Sequence, residues 1–340
     1  MPTSPPIMTR FLIISDTHGM EFTPETEPLQ HADVAIHCGD LTEGSKLEEF
    51  QSALKLLGKF DAPLKLVIAG NHDFTLDIPL FKKKVEEARP PLDLELVKKE
   101  YGDYGEVNQL FKDAASMGIM LLDEGVHHFT LKNGASLTVF ASPYTPSLGD
   151  WGFQYTRKVG HHFAITKDVD VVMTHGPPTG VMDYTLSRQR AGCSDLFAAV
   201  ARNRPQMHCF GHIHEAWGAK LITWRDEISE NPSHFTDIDN EQSTVVEQLS
   251  TLRPSKYDTP DDVEEKRQNL KKHTGQRCYM TIPPIKPGAQ TLFVNAAIQG
   301  VENDYPVQLP WLIDIELPKA NQSEAPSTFN TLRTPAETTG

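Results

Sequence analysis

Phe11-Leu-Ile-Ile-Ser-Asp16-Thr-His18 is an apolar run that ends abruptly in two side chains of metal-ligand type. Short apolar runs bounded by small polar residues read as buried strands. The arrangement recurs along the chain. Val34-Ala-Ile36 leads into Gly39-Asp40, and Leu64 to Ala69 leads into Gly70-Asn71-His72-Asp73. Val169 to Thr174 precedes His175-Gly176, and Met207 to Phe210 precedes Gly211-His212-Ile213-His214. Open α/β sheets bind ligands outside the carboxyl ends of their strands, so these clusters are expected to meet in one crevice. Asp, His and Asn together suit borderline divalent metals and hydrolytic chemistry.

Between these blocks the pattern alternates strand and helix. Leu47, Phe50, Leu54 and Leu57 recur at helical spacing before the strand at Leu64. Residues 79–118 are charged and read as surface helices joined at Gly102 to Gly105. Ile119 to Leu122, Val126 to Leu131 and Ser136 to Phe140 are expected strands of a second sheet, with Lys132-Asn-Gly-Ala135 as a hairpin turn. A helix from Asp195 to Arg202 precedes the strand at Met207. The fold class expected is α/β, a two-sheet β-sandwich core flanked by helices. It is expected to form a single domain over residues 8–317. Residues 223–288 are rich in Asp, Glu, Ser, Thr and Pro, and are expected to be a partly disordered or lid-like insertion. Residues 318–340 read as a flexible tail.

Composition limits the partners. The 340-residue chain carries a formal charge of −14 and shows no Lys/Arg-rich groove, which argues against long nucleic acids. Small phosphoesters remain open, because bound divalent ions reverse the local field. The first ten residues lack the apolar stretch of a signal peptide, and no run approaches membrane-spanning length. Cys38, Cys193, Cys209 and Cys278 are scattered and form no C-x-x-C pair. Reduced thiols in an intracellular, cytoplasmic setting are therefore expected. Nothing in the sequence fixes the oligomeric state.

The ordered blocks D-x-H, G-D, G-N-H-D, H-G and G-H-x-H resemble the signature of the calcineurin-like metallophosphoesterases. Thr174-His-Gly-Pro-Pro178 and Gly192-Cys-Ser-Asp-Leu196 further resemble the metallophosphoesterase-domain-containing branch, related to class III cyclic-nucleotide phosphodiesterases. The similarity runs from about Arg10 to Ile222 and resumes near Leu292. It implies two divalent ions, Mn²⁺ foremost, with Fe, Zn or Mg as alternatives. Asp16, His18 and His214 would hold one ion, Asn71, His175 and His212 the other, and Asp40 would bridge them. A hydroxide between the ions would then attack phosphorus in line.

The leaving alkoxide needs a proton, and His72, beside Asn71, is placed as general acid with Asp73 holding its ring. Arg157 and Arg190 lie in loops near the motifs and suit bidentate phosphate recognition. Trp151, Phe153 and Tyr155 alternate, either as a wall for a nucleobase or as ordinary strand packing. The expected activity is hydrolysis of small phosphodiesters, including cyclic nucleotides. A protein Ser/Thr phosphatase shares the metals but needs an open groove, and a non-catalytic metal-binding scaffold would not need the full ligand set.

Overall fold

A computed structural model describes residues 5–147, 149–280, 284–300 and 308–320. Residues 321–340, which hold most of the expected tail, lie outside it, whereas Pro318 and Ala320 are hydrogen-bonded to the hairpin at Gly134 to Ser136.

The first sheet is built from β1 (Ile7–Ile14), β2 (Val34–His37), β3 (Leu64–Val67) and β4 (Ile119–Leu121), all parallel. Helix α1 (Leu47–Lys59) links β2 to β3. Helices α2 (Ile78–Glu87), α3 (Leu94–Tyr101) and α4 (Glu106–Asp113) link β3 to β4. The chain then forms the hairpin β5 (Gly125–Thr130) and β6 (Ser136–Ser142), followed by a small two-stranded sheet, β7 (Thr145–Pro146) with β8 (Gln154–Tyr155). Next come β9 (Val171–Thr174), α5 (Ser194–Asn203), β10 (Met207–Phe210) and β11 (Gly218–Trp224). After β12 (Ile238–Gln248), α6 (Leu249–Leu252), α7 (Pro260–Gln276) and β13 (Gln290–Asn295), the strand β14 (Trp311–Leu317) returns antiparallel to β1. The sheets therefore read β14-β1-β2-β3-β4 and β12-β11-β13-β10-β9-β6-β5.

Period-two alternation explains how they stack. In β1, Phe11 and Ile13 enter a core shared with Val139, Val171, Met207 and Val294 of the second sheet. Leu12 and Ile14 face the opposite way, against Phe50, Leu54 and Leu57 of α1 and Val107 and Phe111 of α4. On the far side of the second sheet, Val172, Phe210 and Phe293 pack on Leu196, Phe197 and Val200 of α5. The two-sheet sandwich flanked by helices is thus the architecture observed. At one end the sheets are stitched directly, because Ser15 donates its N–H to Ala296 and accepts from Ile298 at 2.9 and 3.0 Å.

Two expectations need correction. Residues 119–121 form the edge of the first sheet rather than a strand of the second, because the helical crossover returns them parallel to β3. Much of the polar 223–288 segment is ordered structure. Its strand β12 pairs antiparallel with β11, and Ile238, Leu252 and His273 are buried. An edge strand is held by backbone hydrogen bonds on one side, so it tolerates a polar sequence. Helix α7 opens on a capping box in which Thr259 accepts from the Asp262 N–H and the Asp262 side chain accepts from the Thr259 N–H.

Candidate metal centre

The turns after β1, β2, β3, β9 and β10 converge at the end where the sheets are stitched. Asp16, His18, Asp40 and Asn71 come from the first sheet, and His175, His212 and His214 from the second. Four of these seven sit in the left-handed region, with φ of +56° at Asp16, +46° at His18, +53° at Asp40 and +67° at His212. Non-glycine residues enter that region at a cost, and such outliers cluster at functional sites. Glycines let the turns close up. A Cβ at Gly70 would lie 2.2 Å from both the N and Oδ1 of Asp40, and one at Gly211 would lie 1.9 Å from Asp16 Oδ2.

The seven candidates supply two groups of ligand atoms, and His18 also shares a third with Glu43 and His72. Asp16, His18 and His214 offer atoms within 4.8 Å of one another, as do Asp40, His175 and His212. His214 Nε2 lies 3.2 Å from Asp16 Oδ1, and Asp16 also accepts the His212 N–H at 3.0 Å. Asp40 stands between the groups. Its Oδ2 lies 3.3 Å from His175 Nε2 and 3.8 Å from His18 Nε2, while its Oδ1 accepts the His72 N–H at 2.8 Å. His175 donates Nδ1–H to the Cys38 carbonyl at 2.8 Å, which aims Nε2 at Asp40 and at Asn71 Oδ1, 3.0 Å away. Rings of His175 and His212 lie 4.9 Å apart.

The electrostatics suit cations. Burial alone would raise the Asp16 carboxyl, but the hydrogen bond and charge of His214 overcome it and hold the group at about 2. Asp40 is likewise held well below the carboxylate range, its burial outweighed by His175 and His18. His212 is pushed down to about 4 by burial and by His175, so it is a neutral nitrogen donor. His18 is also lowered by burial, and both of its ring nitrogens are buried without a hydrogen-bond partner. Two buried carboxylates, the unpartnered ring nitrogens of His18 and an amide oxygen would suit a pair of divalent ions. The fit is to His/Asp/Asn sites of borderline metals.

His72 lies at the edge of this centre, its ring 4.8 Å from that of His18. Asp73 does not hold it. The Asp73 carboxylate turns inward and accepts from the N–H groups of Leu41, Thr42 and Gly70 and the Thr42 hydroxyl, bracing the Gly39-Asp40 turn against the Gly70 turn. Burial and nearby Asp40 raise it to about 7. The His72 ring instead donates Nδ1–H to the Glu43 carbonyl at 2.7 Å. Glu43 was not legible as a site residue. Its carboxylate also lies 3.0 Å from His18 Nδ1, though without hydrogen-bond alignment. Only its position three residues after Asp40 hinted at this.

The arginines are engaged elsewhere. Arg157 donates to the Ala191 and Gly192 carbonyls. Arg190 pairs with the fully buried Asp183 and lies 4.2 Å over the Tyr184 ring. Both hold the 177–192 loop that follows His175. His37 is buried against Thr17, and burial pushes it down to about 3, as it does His208. The four cysteines are buried free thiols. No described helix is long and apolar enough to cross a membrane.

Comparison with known proteins identifies the family of this region. Residues 9–216 match the family model of the calcineurin-like phosphoesterases. The chain is 32% identical over 225 residues to metallophosphoesterase domain-containing protein 1 of Homo sapiens, a match covering 63% of each. It is 34% identical over 220 residues to UPF0046 protein T07D4.2 of Caenorhabditis elegans, covering 63% of this chain and 53% of that one. The matched region thus spans less than two thirds of these relatives' length. Among solved structures, the purple acid phosphatase PPD1 of yellow lupin aligns over 90% of this chain and 47% of its own, at 11% identity and a TM-score of 0.38. With its five motif blocks gathered on seven candidate ligands, the chain belongs to the calcineurin-like phosphoesterase family, whose members are dinuclear-metal phosphoric ester hydrolases.

Proposed function

We propose that this chain hydrolyses small phosphodiesters, cyclic nucleotides among them, using two divalent ions, with Mn²⁺ as the working choice. The observation that carries the reading is the Asp40 carboxylate, set between His175 and His18 at 3.3 and 3.8 Å, with Asp16 and His214 grouped with His18 and with His212 grouped with His175. Two ions held there would depress the pKa of water and offset charge on phosphoryl oxygens. Asp16, His18 and His214 would hold one, Asn71, His175 and His212 the other. The Cys38 carbonyl fixes the tautomer of His175 so that Nε2 faces the centre.

His72 supplies the remaining function. Its Nδ1–H is committed to the Glu43 carbonyl, so the protonated ring has one transferable proton, at Nε2. That proton goes to the leaving alkoxide as the P–O bond breaks. A formal charge of −14 fits a small anionic substrate drawn in by the local metal charge, not a long nucleic acid. Four buried thiols suit a reducing, cytoplasmic setting.

The test compares an aryl phosphodiester with the corresponding monoester, after chelation and after Mn²⁺ is restored. Diester hydrolysis that vanishes on chelation and returns with Mn²⁺ is expected. His72→Asn should lose about 10²–10⁴-fold on a diester with an alkyl leaving group, and much less on a nitrophenyl diester. Faster turnover of the monoester, or no turnover at full metal loading, refutes the reading.

A further inference from the structure

Trp151 is the one large aromatic side chain among the described residues that stacks on the candidate acid. Its indole lies 4.3 Å from the His72 ring at an interplanar angle of 29°, while 39% of the residue remains exposed. The placement is built in. The Gly152 N–H donates to the carbonyl of the candidate ligand Asn71 at 3.0 Å, and the Phe153 N–H donates to Asp77 at 3.0 Å. A Cβ at Gly152 would lie 2.9 Å from Phe74 Cα and 3.3 Å from Asn71 O, so glycine there permits this close approach. Lys84 lies 6.0 Å over the indole from α2. Nothing in the packing of the sandwich requires this contact, since Trp151 is absent from all three cores.

We infer that Trp151 is a positioning residue for proton transfer: its indole fixes the plane of the His72 ring so that Nε2 is directed at the leaving oxygen. One hydrogen bond, from Nδ1 to the Glu43 carbonyl, still admits a range of χ1 and χ2 settings for the imidazole. Stacking narrows that range, because offset-stacked rings hold a common tilt. His18, edge-on at 86°, lies against the ring on the side of the candidate metal centre. The three contacts together define the ring orientation seen here. The inference rests on the general-acid role of His72.

The experiment measures kcat and KM for an alkyl-leaving and a nitrophenyl diester at matched metal content. The variants are Trp151→Ala, Trp151→Phe, His72→Asn and the double variant Trp151→Ala/His72→Asn. Trp151→Ala is expected to lower kcat on the alkyl diester about 3- to 10-fold, the scale of one aromatic stacking contact, with KM and the nitrophenyl rate little changed. Trp151→Phe should restore most of the loss, and Trp151→Ala should cost nothing further once His72 is Asn. Equal losses on both diesters, a loss confined to KM, or additive losses in the double variant overturn the positioning role and mark the indole as a substrate wall or a fold contact. The two readings fail separately. A selective His72→Asn with an unselective Trp151→Ala removes only this inference, whereas an unselective His72→Asn removes the acid role and this inference with it.

Discussion

Gly211→Ala tests whether the turn after β10 is shaped for metal or merely for packing. The new methyl would sit 1.9 Å from Asp16 Oδ2 and 2.2 Å from Ser15 Oγ, against an ordinary contact of at least 3.4 Å. Asp16 must therefore retreat by roughly 1.5 Å, or the turn bearing His212 and His214 must lift by as much. Ligand distances in metal sites tolerate only about 0.2 Å. The group of Asp16, His18 and His214 should then lose its ion by about 100-fold or more in affinity, well beyond the effect of losing an orienting contact. Stability without metal should fall by about 1–3 kcal/mol, as for other overpacked sites. The assay is elemental analysis together with thermal unfolding across a Mn²⁺ titration, where binding to the native state raises Tm with concentration. Gly275→Ala is the control. It lies within α7 with nothing inside 4 Å of the added carbon, and should stabilise the helix by about 0.5–1 kcal/mol without touching metal. A Gly211→Ala protein that binds two ions at wild-type affinity would refute the steric reasoning and the assignment of Asp16.

Arg190→Ala strips the buried Asp183 carboxylate of its cationic partner, leaving it the Gly180 N–H, and should cost about 1–3 kcal/mol in urea unfolding, part of which Asp183→Asn in the same chain recovers. Asp170 is raised to about 6 by burial against the Thr138 N–H bond, so its contribution to stability is complete below about 4 and is lost as pH rises through 6. Asp170→Asn should therefore reduce the fall in stability between pH 4 and pH 7 by about 1–2 kcal/mol relative to wild type, read from paired denaturation curves. Excising residues 238–276 should abolish cooperative unfolding, because it bares the edge of β11 and uncovers the buried Tyr279; a soluble, cooperatively folding deletion would show this segment to be dispensable.

The convergence of the candidate ligand turns was legible because each combines two local signals, an apolar run and a polar cluster at its end, and parallel strands deliver such ends to one side of a sheet. Glu43 and Trp151 carry no such signal. Their roles arise where the 40–45, 70–77 and 149–153 loops meet, which depends on tertiary packing. Asp73 was misassigned because adjacency to His72 in sequence says nothing of direction; its neighbours Leu41, Thr42 and Gly70 offer four donors that the ring of His72 cannot match. In β12 the composition is polar because most of its side chains are exposed or half-buried while its backbone is paired, and composition reports burial better than it reports hydrogen bonding. The start of α7, by contrast, was available to be read, since Thr259-Pro-Asp-Asp262 is a helix-start pattern.

Four of the candidate ligands descend from one sheet and three from the other, and this division has a mechanical consequence. A pair of ions coordinated across that boundary would add a rivet between two halves of the chain that already meet through apolar side chains, the seam at Ser15, the Pro318 and Ala320 bonds to the hairpin, and the bonds of His175 to Cys38 and His212 to Asp16. Sliding or splaying of one half against the other would then require breaking coordination bonds. Chelation would loosen a surface far larger than the site itself. Amide protons along the inward faces of β1 and β10 would exchange sooner in the stripped protein, well before the molecule as a whole unfolds.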